Sequence, residues 1–150
     1  MREERFMAQE NGEMQNAFCI LNFLSCPIMP VTPLQEPFAM YRVRQDDLPF
    51  KGSSHHFVGA ENGDVGISVF LLHALPGRGP GPHRHPYDEI QFIREGRGRW
   101  NVNGEEFEAG AGDILVIKAG EVHSFKCIGP EPLVQVDLHM SPTFIQENLE

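Results

Sequence analysis

Short apolar segments alternate with turn residues from about residue 41 onward, and this rhythm limits the fold more than any other feature. The chain of 150 residues contains 15 glycines and 12 prolines, which interrupt helices and permit tight turns. The segments between them have the length of strands, and turn signals return about every eight to twelve residues. The pattern therefore predicts an all-β sandwich or barrel.

Individual strands follow from the alternation of apolar and polar residues. The predicted strands cover residues 38–44, 56–58, 65–75, 90–95, 98–102, 105–109, 113–118, 122–128 and 133–140. Asn103-Gly104 predicts a tight hairpin, because a type I′ turn needs positive φ at both central positions. The last strand carries Gln135, Asp137 and His139 on one face. Residues 142–150 predict a C-terminal helical tail.

Composition excludes several classes of function. Lys+Arg number 12 against 21 Asp+Glu, a formal net charge of -9, and no basic run offers phosphate neutralisation, so a nucleic-acid partner is disfavoured. No segment approaches the roughly 20 apolar residues of a membrane helix. The three cysteines form no CxxC pair and leave one over, which favours a reducing cytoplasm. Residues 1–37 predict an N-terminal extension, an arm or a partly disordered segment, whose acidic start argues against a signal peptide.

Residues 77–96, GRGPGPHRHPYDEIQFIREG, carry the strongest chemical signal. His83 and His85 are two positions apart, so on a strand their side chains share a face with Cα atoms about 6.6 Å apart. Glu89 follows. Neutral imidazoles and a carboxylate aimed into one space suit a divalent transition metal. The alternative is that all three are solvated residues of an exposed loop.

Two motifs together resemble the cupins, a superfamily of small double-stranded β-helix (jelly-roll) barrels. The first cupin motif is glycine, five residues, His-x-His, three or four residues, Glu, six residues and glycine, which Gly77, His83, His85, Glu89 and Gly96 match. The second is glycine, five residues, Pro-x-Gly, two residues, His, three residues and Asn. It is matched at Gly112, Gly120 and His123 and departs at Lys118 and Cys127. The resemblance covers residues 38–141.

The resemblance implies one divalent metal ion per chain, held by His83, His85, Glu89 and His123. Three imidazoles and a carboxylate suit Fe(II) or Mn(II), which we favour, and also Zn, Ni or Cu. Asp88 could compete with Glu89, but the motif spacing favours Glu89. Four ligands would leave positions open for a substrate on an octahedral ion.

Five further residues are candidates to line a pocket: Gln91, Arg99, Phe125, Cys127 and His139. Each also has a plain structural interpretation. Gln91 shares a face with Glu89 and could hold that ligand from behind. Arg99 would indicate an anionic substrate, whereas its neighbour Trp100 is expected to pack inside the barrel. Phe125 is expected to pack, and a free cysteine such as Cys127 is usually a small buried apolar residue.

The fold does not decide the function. The first hypothesis is a mononuclear metalloenzyme of the dioxygenase type, acting on a small organic molecule. The second is a non-catalytic protein that binds or senses a sugar or an organic acid. A third, a metal-dependent isomerase, needs an additional acid and base that the sequence alone does not locate. Because a barrel of two sheets has exposed edges, we also expect a homodimer.

Overall fold

The structure is a computed structural model that describes residues 40–149. The predicted N-terminal extension, residues 1–37, lies outside the described residues. Within them the chain forms one short 3₁₀ turn, Gln45–Asp47, and eleven strands. The strands are β1 (Phe50–Lys51), β2 (Ser54–Phe57), β3 (Ser68–Ala74), β4 (His83–Arg84), β5 (Glu89–Glu95), β6 (Arg97–Val102), β7 (Glu105–Gly110), β8 (Ile114–Ile117), β9 (His123–Cys127), β10 (Leu133–His139) and β11 (Glu147–Asn148).

The strands form two antiparallel sheets, as the predicted all-β jelly roll requires. One sheet has the order β1-β2-β3-β10-β5-β8, and the other has the order β11-β4-β9-β6-β7. Since β3 and β5 both pair with β10, the chain joins strands that are distant in sequence. No helix in residues 40–149 has the length and apolarity to cross a bilayer.

The interior is apolar towards one end of the strands and polar towards the other. In β10 the buried positions run from Leu133 at one end to His139 at the other. In β5 they run from Ile93 to Glu89, which is the register partner of His139. The apolar end contains Trp100, which is fully buried and packs with its ring against the backbone of Gly98. The polar end is where a site can form, because its buried side chains carry donors and acceptors.

Alternation along β10 is as predicted, but its buried face is the more polar one. Val134, Val136 and Leu138 are only partly buried, whereas Gln135, Asp137 and His139 are buried. A prediction from hydrophobicity alone would place Val134, Val136 and Leu138 in the interior, which is the opposite of what the structure shows. A buried polar face is costly unless its groups find partners, so the polar residues of this face are candidates to bind a ligand.

Two predicted elements at the chain ends are wrong. The described part of the predicted strand at residues 38–44 has no strand, and it leads into the 3₁₀ turn. The predicted helical tail, residues 142–150, is described to residue 149 and contains no helix; it forms β11, which pairs with β4. A helix this short is costly to nucleate, whereas the edge of β4 offers backbone partners.

Candidate metal centre

Three histidines and one glutamate meet at the polar end of the barrel. His83 comes from β4, His85 from the segment after it, Glu89 from the start of β5 and His123 from the start of β9. All four are buried, and one ligand atom from each lies within 4.8 Å of the others. The pairing of β4 with β9 places His83 directly opposite His123. The two distant sequence motifs therefore meet in one place.

Backbone carbonyls fix the orientation of all three imidazoles. Nδ1 of His83 lies 2.8 Å from the oxygen of Gly81, and Nδ1 of His85 lies 2.7 Å from the oxygen of Ile145. Nδ1 of His123 lies 3.0 Å from the oxygen of Glu121. A carbonyl oxygen can only accept, so each Nδ1 carries the proton and, in the neutral ring, each Nε2 presents a lone pair. This is the arrangement found in metal-binding histidines.

These donor atoms fit a cation because the described residues leave most of them without a hydrogen-bond partner. Nε2 of His85, Nε2 of His123 and Oε2 of Glu89 are buried and make no regular hydrogen bond within the described part of the chain. Oε2 of Glu89 lies 3.0 Å from Nε2 of His123 and 3.5 Å from Nε2 of His85. Lone pairs at these distances repel one another, so the cluster needs a proton or a cation between them. The residues present thus suit a divalent metal ion with nitrogen and oxygen ligands.

Gln91 holds the glutamate in position. Its Nε2 donates to Oε1 of Glu89 at 2.9 Å, and its Oε1 accepts from Nε1 of Trp100 at 2.8 Å. Because the indole can only donate, it fixes which end of the Gln91 amide faces the carboxylate. One oxygen of Glu89 is thereby engaged, and the other is left facing the histidines.

A cavity of about 960 Å³ opens beside this cluster. His83, His85 and Glu89 form part of its wall, and Phe70, Phe125 and Phe144 form apolar parts. A concave site of this size, mostly apolar with a few convergent polar groups, is typical of small-molecule binding. The cluster is thus accessible to a ligand rather than sealed in the core.

Comparison with known proteins agrees with the two sheets and with the paired motifs. A family model described as "Cupin domain" matches residues 70–139, which include all four members of the cluster. Residues 70–139 are thus a cupin domain. Polyketide synthase CurC from Streptomyces cyaneus is 34% identical to this cupin over 86 residues, which are 57% of this chain and 53% of that protein. The chain thus spans about half the length of that curated relative.

Solved structures share the fold of this cupin. An uncharacterized conserved protein with a double-stranded β-helix domain from Klebsiella pneumoniae matches with a TM-score of 0.58 and 24% identity, covering 75% of this chain and 99% of that chain. A variant of oxalate decarboxylase from Bacillus subtilis matches with a TM-score of 0.61 and 24% identity, covering 69% of this chain and 30% of that chain. At this level of identity the likeness concerns the fold alone.

The other predicted pocket residues of the cupin separate into two groups. His139 and Phe125 line the cavity, and Gln91 is buried behind Glu89. Cys127 instead belongs to the apolar core, where its thiol lies 3.3 Å from the oxygen of Glu131. Arg99 is on the outside of the barrel and pairs with Glu108 at 2.9 Å. The expectation that Arg99 and Cys127 line the pocket is therefore corrected.

Asp88 and Lys118 form an ion pair outside the metal cluster. The Lys118 ammonium and the Ala119 N–H both donate to the Asp88 carboxylate, which lies outside the cluster. Asp88 is thus engaged at the surface, as the motif spacing predicts, while its neighbour Glu89 is buried. Lys118 stands where the cupin motif has proline, and its backbone N–H donates to Glu121 at 2.8 Å, a bond that proline cannot make.

Two groups at the site are not predicted from the sequence. Asp137 lines the cavity and accepts a hydrogen bond of 2.7 Å from Gln135. Burial and the nearby charge of Glu89 raise its pKa well above the usual value. The second group is the Ile145 carbonyl that holds His85, which comes from the tail predicted to be helical. The alternation along β10 places Asp137 on the same face as His139, so the sequence offers a signal for Asp137. No side-chain pattern marks a main-chain carbonyl such as that of Ile145.

Gln91→Met is expected to weaken metal binding about 10- to 100-fold while the cupin stays folded. Methionine has a similar length but cannot donate to Glu89, and loss of such an orienting partner typically costs this much affinity. Competition with a chelator of known affinity measures the change, and circular dichroism confirms folding. A folded variant with the affinity of the wild-type protein would contradict the orienting role.

Metal affinity is expected to fall as the pH drops through the pKa of His123. Burial lowers the pKa of His83 to about 4 and also lowers that of His85, so these rings are neutral at pH 7. Burial acts the same way on His123, but the Glu89 carboxylate 3.0 Å away and the Glu121 carbonyl outweigh it and raise the pKa of His123 above its usual value. A metal ion must displace that proton, which costs about tenfold in affinity per pH unit below the pKa. Titrations at pH 7.5 and 4.5 that give equal affinities would refute this.

Proposed function

We propose that this cupin is a metal-dependent enzyme that acts on a small, oxygen-bearing organic molecule, with dioxygenase-type oxidation as its reaction. The observation that carries the proposal is the set of three imidazoles fixed by carbonyls, with their free nitrogens facing Glu89 beside a cavity. His83, His85, Glu89 and His123 would hold the ion, and Fe(II) or Mn(II) suits this donor set. Once bound, the ion would supply a Lewis acid with redox capability next to the substrate.

The residues of the chain would bind and orient the substrate. Phe70, Phe125 and Phe144 supply an apolar wall, which would keep water away from the reacting face. His139 also faces the cavity, and both of its ring nitrogens are buried without a hydrogen-bond partner within the described residues. A buried polar group of this kind is costly unless a ligand satisfies it. His139 would therefore hydrogen-bond an oxygen of the substrate.

The curated relative supports a substrate rich in oxygen. It is named a polyketide synthase, and polyketides carry carbonyl and hydroxyl groups at regular positions. Such groups are ligands for a hard or borderline divalent cation. We propose a molecule of this kind, phenolic or carbonyl-bearing, as the substrate class.

Metal analysis followed by oxygen uptake tests the proposal. Protein purified without added metal is assayed with catechols, thiols and β-diketones while dissolved oxygen is recorded. Iron or manganese at about one ion per chain, with oxygen consumption that depends on substrate and disappears in His123→Ala, supports the enzyme. A metal-loaded protein that is stabilised by such molecules without converting them is instead a binding or sensory protein.

A second candidate, metal-assisted isomerisation, is favoured by Asp137 and His139. Both line the cavity and neither belongs to the four-residue cluster. Burial raises the pKa of Asp137, whereas burial lowers that of His139 to about 4. A carboxyl whose pKa is raised and a neutral imidazole would be the acid and base that isomerisation needs. Exchange of substrate α-protons in D₂O without oxygen uptake would select this reaction.

We also propose that the cupin forms a homodimer through a sheet edge. β8 lies at the edge of the six-stranded sheet, and its Ile114 and Val116 are exposed apolar residues. An apolar edge strand is commonly covered by another chain. Light scattering that shows a monomer at assay concentrations would refute the dimer.

A further inference from the structure

Two cationic side chains line the cavity on its solvent-exposed side. Lys51 comes from β1, and Arg78 comes from the loop between β3 and β4. Both are exposed. Neither has a carboxylate within ion-pair distance among the described residues, so both charges are available to a ligand. The chain has a formal net charge of -9, so two cations without a carboxylate partner at the same cavity differ from the acidic character of the whole chain.

Backbone hydrogen bonds fix the main chain of both cationic residues. The backbone of the Arg78 loop is bonded to β9: Gly77 N–H donates to the Cys127 oxygen at 2.9 Å, and Cys127 N–H donates to the Arg78 oxygen at 2.8 Å. The loop lies so close to β9 that a Cβ on Gly79 would be 2.1 Å from the Phe125 oxygen. Lys51 is fixed by the pairing of β1 with β2. The backbones that carry the two charges are therefore placed before any ligand arrives.

The wall near Lys51 is flat and uncharged. His56 stacks on Phe70 with ring centroids 3.7 Å apart and an angle of 15° between the planes. Burial and the neighbouring charges of Lys51 and His55 lower the pKa of His56 to about 4, so this ring is neutral at pH 7. Phe50 and Phe144 add aromatic surface on the same cavity. Planar apolar groups pack well against such rings.

The acidic groups of the cavity are confined to its buried part. Glu89 and Asp137 are the carboxylates among its described lining residues, and both are buried. An anionic group near Lys51 and Arg78 therefore meets no exposed negative charge on the lining. Cations beside a low-dielectric wall attract an anion and fix its orientation.

We propose that the cavity binds a planar aromatic molecule that carries a carboxylate. The carboxylate lies near Lys51 and Arg78, the ring lies against the Phe70 side, and an oxygen at the other end faces the histidine–glutamate cluster. This inference rests on the proposed function, because it takes the cluster as the metal-binding end of the site. It adds the charge and shape of the ligand, which that function leaves open.

Caffeate and its methyl ester are suitable probes, since they share the ring and the vicinal hydroxyls and differ in the carboxylate. Isothermal titration of both into the metal-loaded protein, under nitrogen, is expected to show caffeate binding about tenfold more tightly than the ester. The double variant Lys51→Gln, Arg78→Gln is expected to lose this preference while ester affinity changes less than about twofold. Lys126→Gln, which removes an exposed cation of β9 outside the cavity lining, is the control and should change neither affinity.

The results distinguish a failure of this inference from a failure of the proposed function. Equal binding of acid and ester, or a preference that survives in the double variant, overturns the inference. If ester binding still requires the metal in that case, the proposed function stands. If neither probe binds in a metal-dependent way, both the proposed function and the inference are overturned.

Discussion

Glu89→Gln is expected to lower the affinity for a divalent metal ion by about a hundredfold or more. Glu89 supplies the negative charge of the cluster, and its Oε2 faces the nitrogens of His85 and His123 at 3.5 and 3.0 Å. Glutamine keeps the size of the side chain but removes the charge, and removal of an orienting partner alone already costs 10- to 100-fold. The loss of the ligand itself should cost at least as much. Competition with a chelator at pH 7.5 gives the affinity.

Glu108→Gln is the matched control for this variant. Glu108 is a glutamate of the same barrel, but it is on the outer surface, where it pairs with Arg99. An exposed ion pair contributes little to stability, so this variant should bind metal as the wild-type protein does. The account would be contradicted if Glu89→Gln kept wild-type affinity, or if Glu108→Gln lost as much.

Trp100→Ala is expected to lower the free energy of unfolding by about 3 to 5 kcal/mol. The indole is fully buried and stacks on Phe125 with ring centroids 5.3 Å apart. It lies over Gly98, where any Cβ would be 2.6 Å from the ring, and glycine has no side chain that could move into the space left behind. The substitution also leaves Oε1 of Gln91 without its donor, which adds to the cost. Urea denaturation of the metal-free protein measures the change.

Trp100→Phe separates the two contributions. Phenylalanine retains much of the packing but cannot donate to Gln91, so it should be less destabilising than alanine and should still weaken metal binding. The proposed chain from Trp100 through Gln91 to Glu89 would be refuted by a phenylalanine variant with unchanged metal affinity. A loss below about 1 kcal/mol for Trp100→Ala would refute the packing argument.

Local sequence rules were sufficient wherever backbone geometry or alternation decides the structure. Asn103 and Gly104 both have positive φ, at 52° and 91°, as the hairpin prediction requires. Glu89, Gln91 and Ile93 share the buried face of β5, and His123, Phe125 and Cys127 share that of β9. These features follow from the two-residue period of a strand. The convergence of the two motifs followed from their resemblance to the cupins rather than from the period.

Sequence reasoning failed where tertiary contacts decide the outcome. Arg99 and Trp100 alternate on β6; Trp100 is inside as predicted, and Arg99 is exposed, so the prediction of Arg99 as a pocket residue is wrong. The local sequence of the tail predicts a helix, whereas its pairing with β4 involves residues more than sixty positions away and leaves no local signal. Lys51 and Arg78 had no local signal, since their cavity is formed by strands that meet only in the folded barrel.

X-ray absorption spectroscopy of the metal-loaded protein tests the central claim most directly. The account predicts one ion per chain whose ligands include three imidazoles and a carboxylate oxygen, with ligand distances near 2.0–2.2 Å as is usual for such donors. The same spectrum recorded on His123→Ala should show a loss of imidazole scattering. Binding of less than a tenth of an ion per chain at saturating metal, or a spectrum without imidazole ligands, would contradict the account.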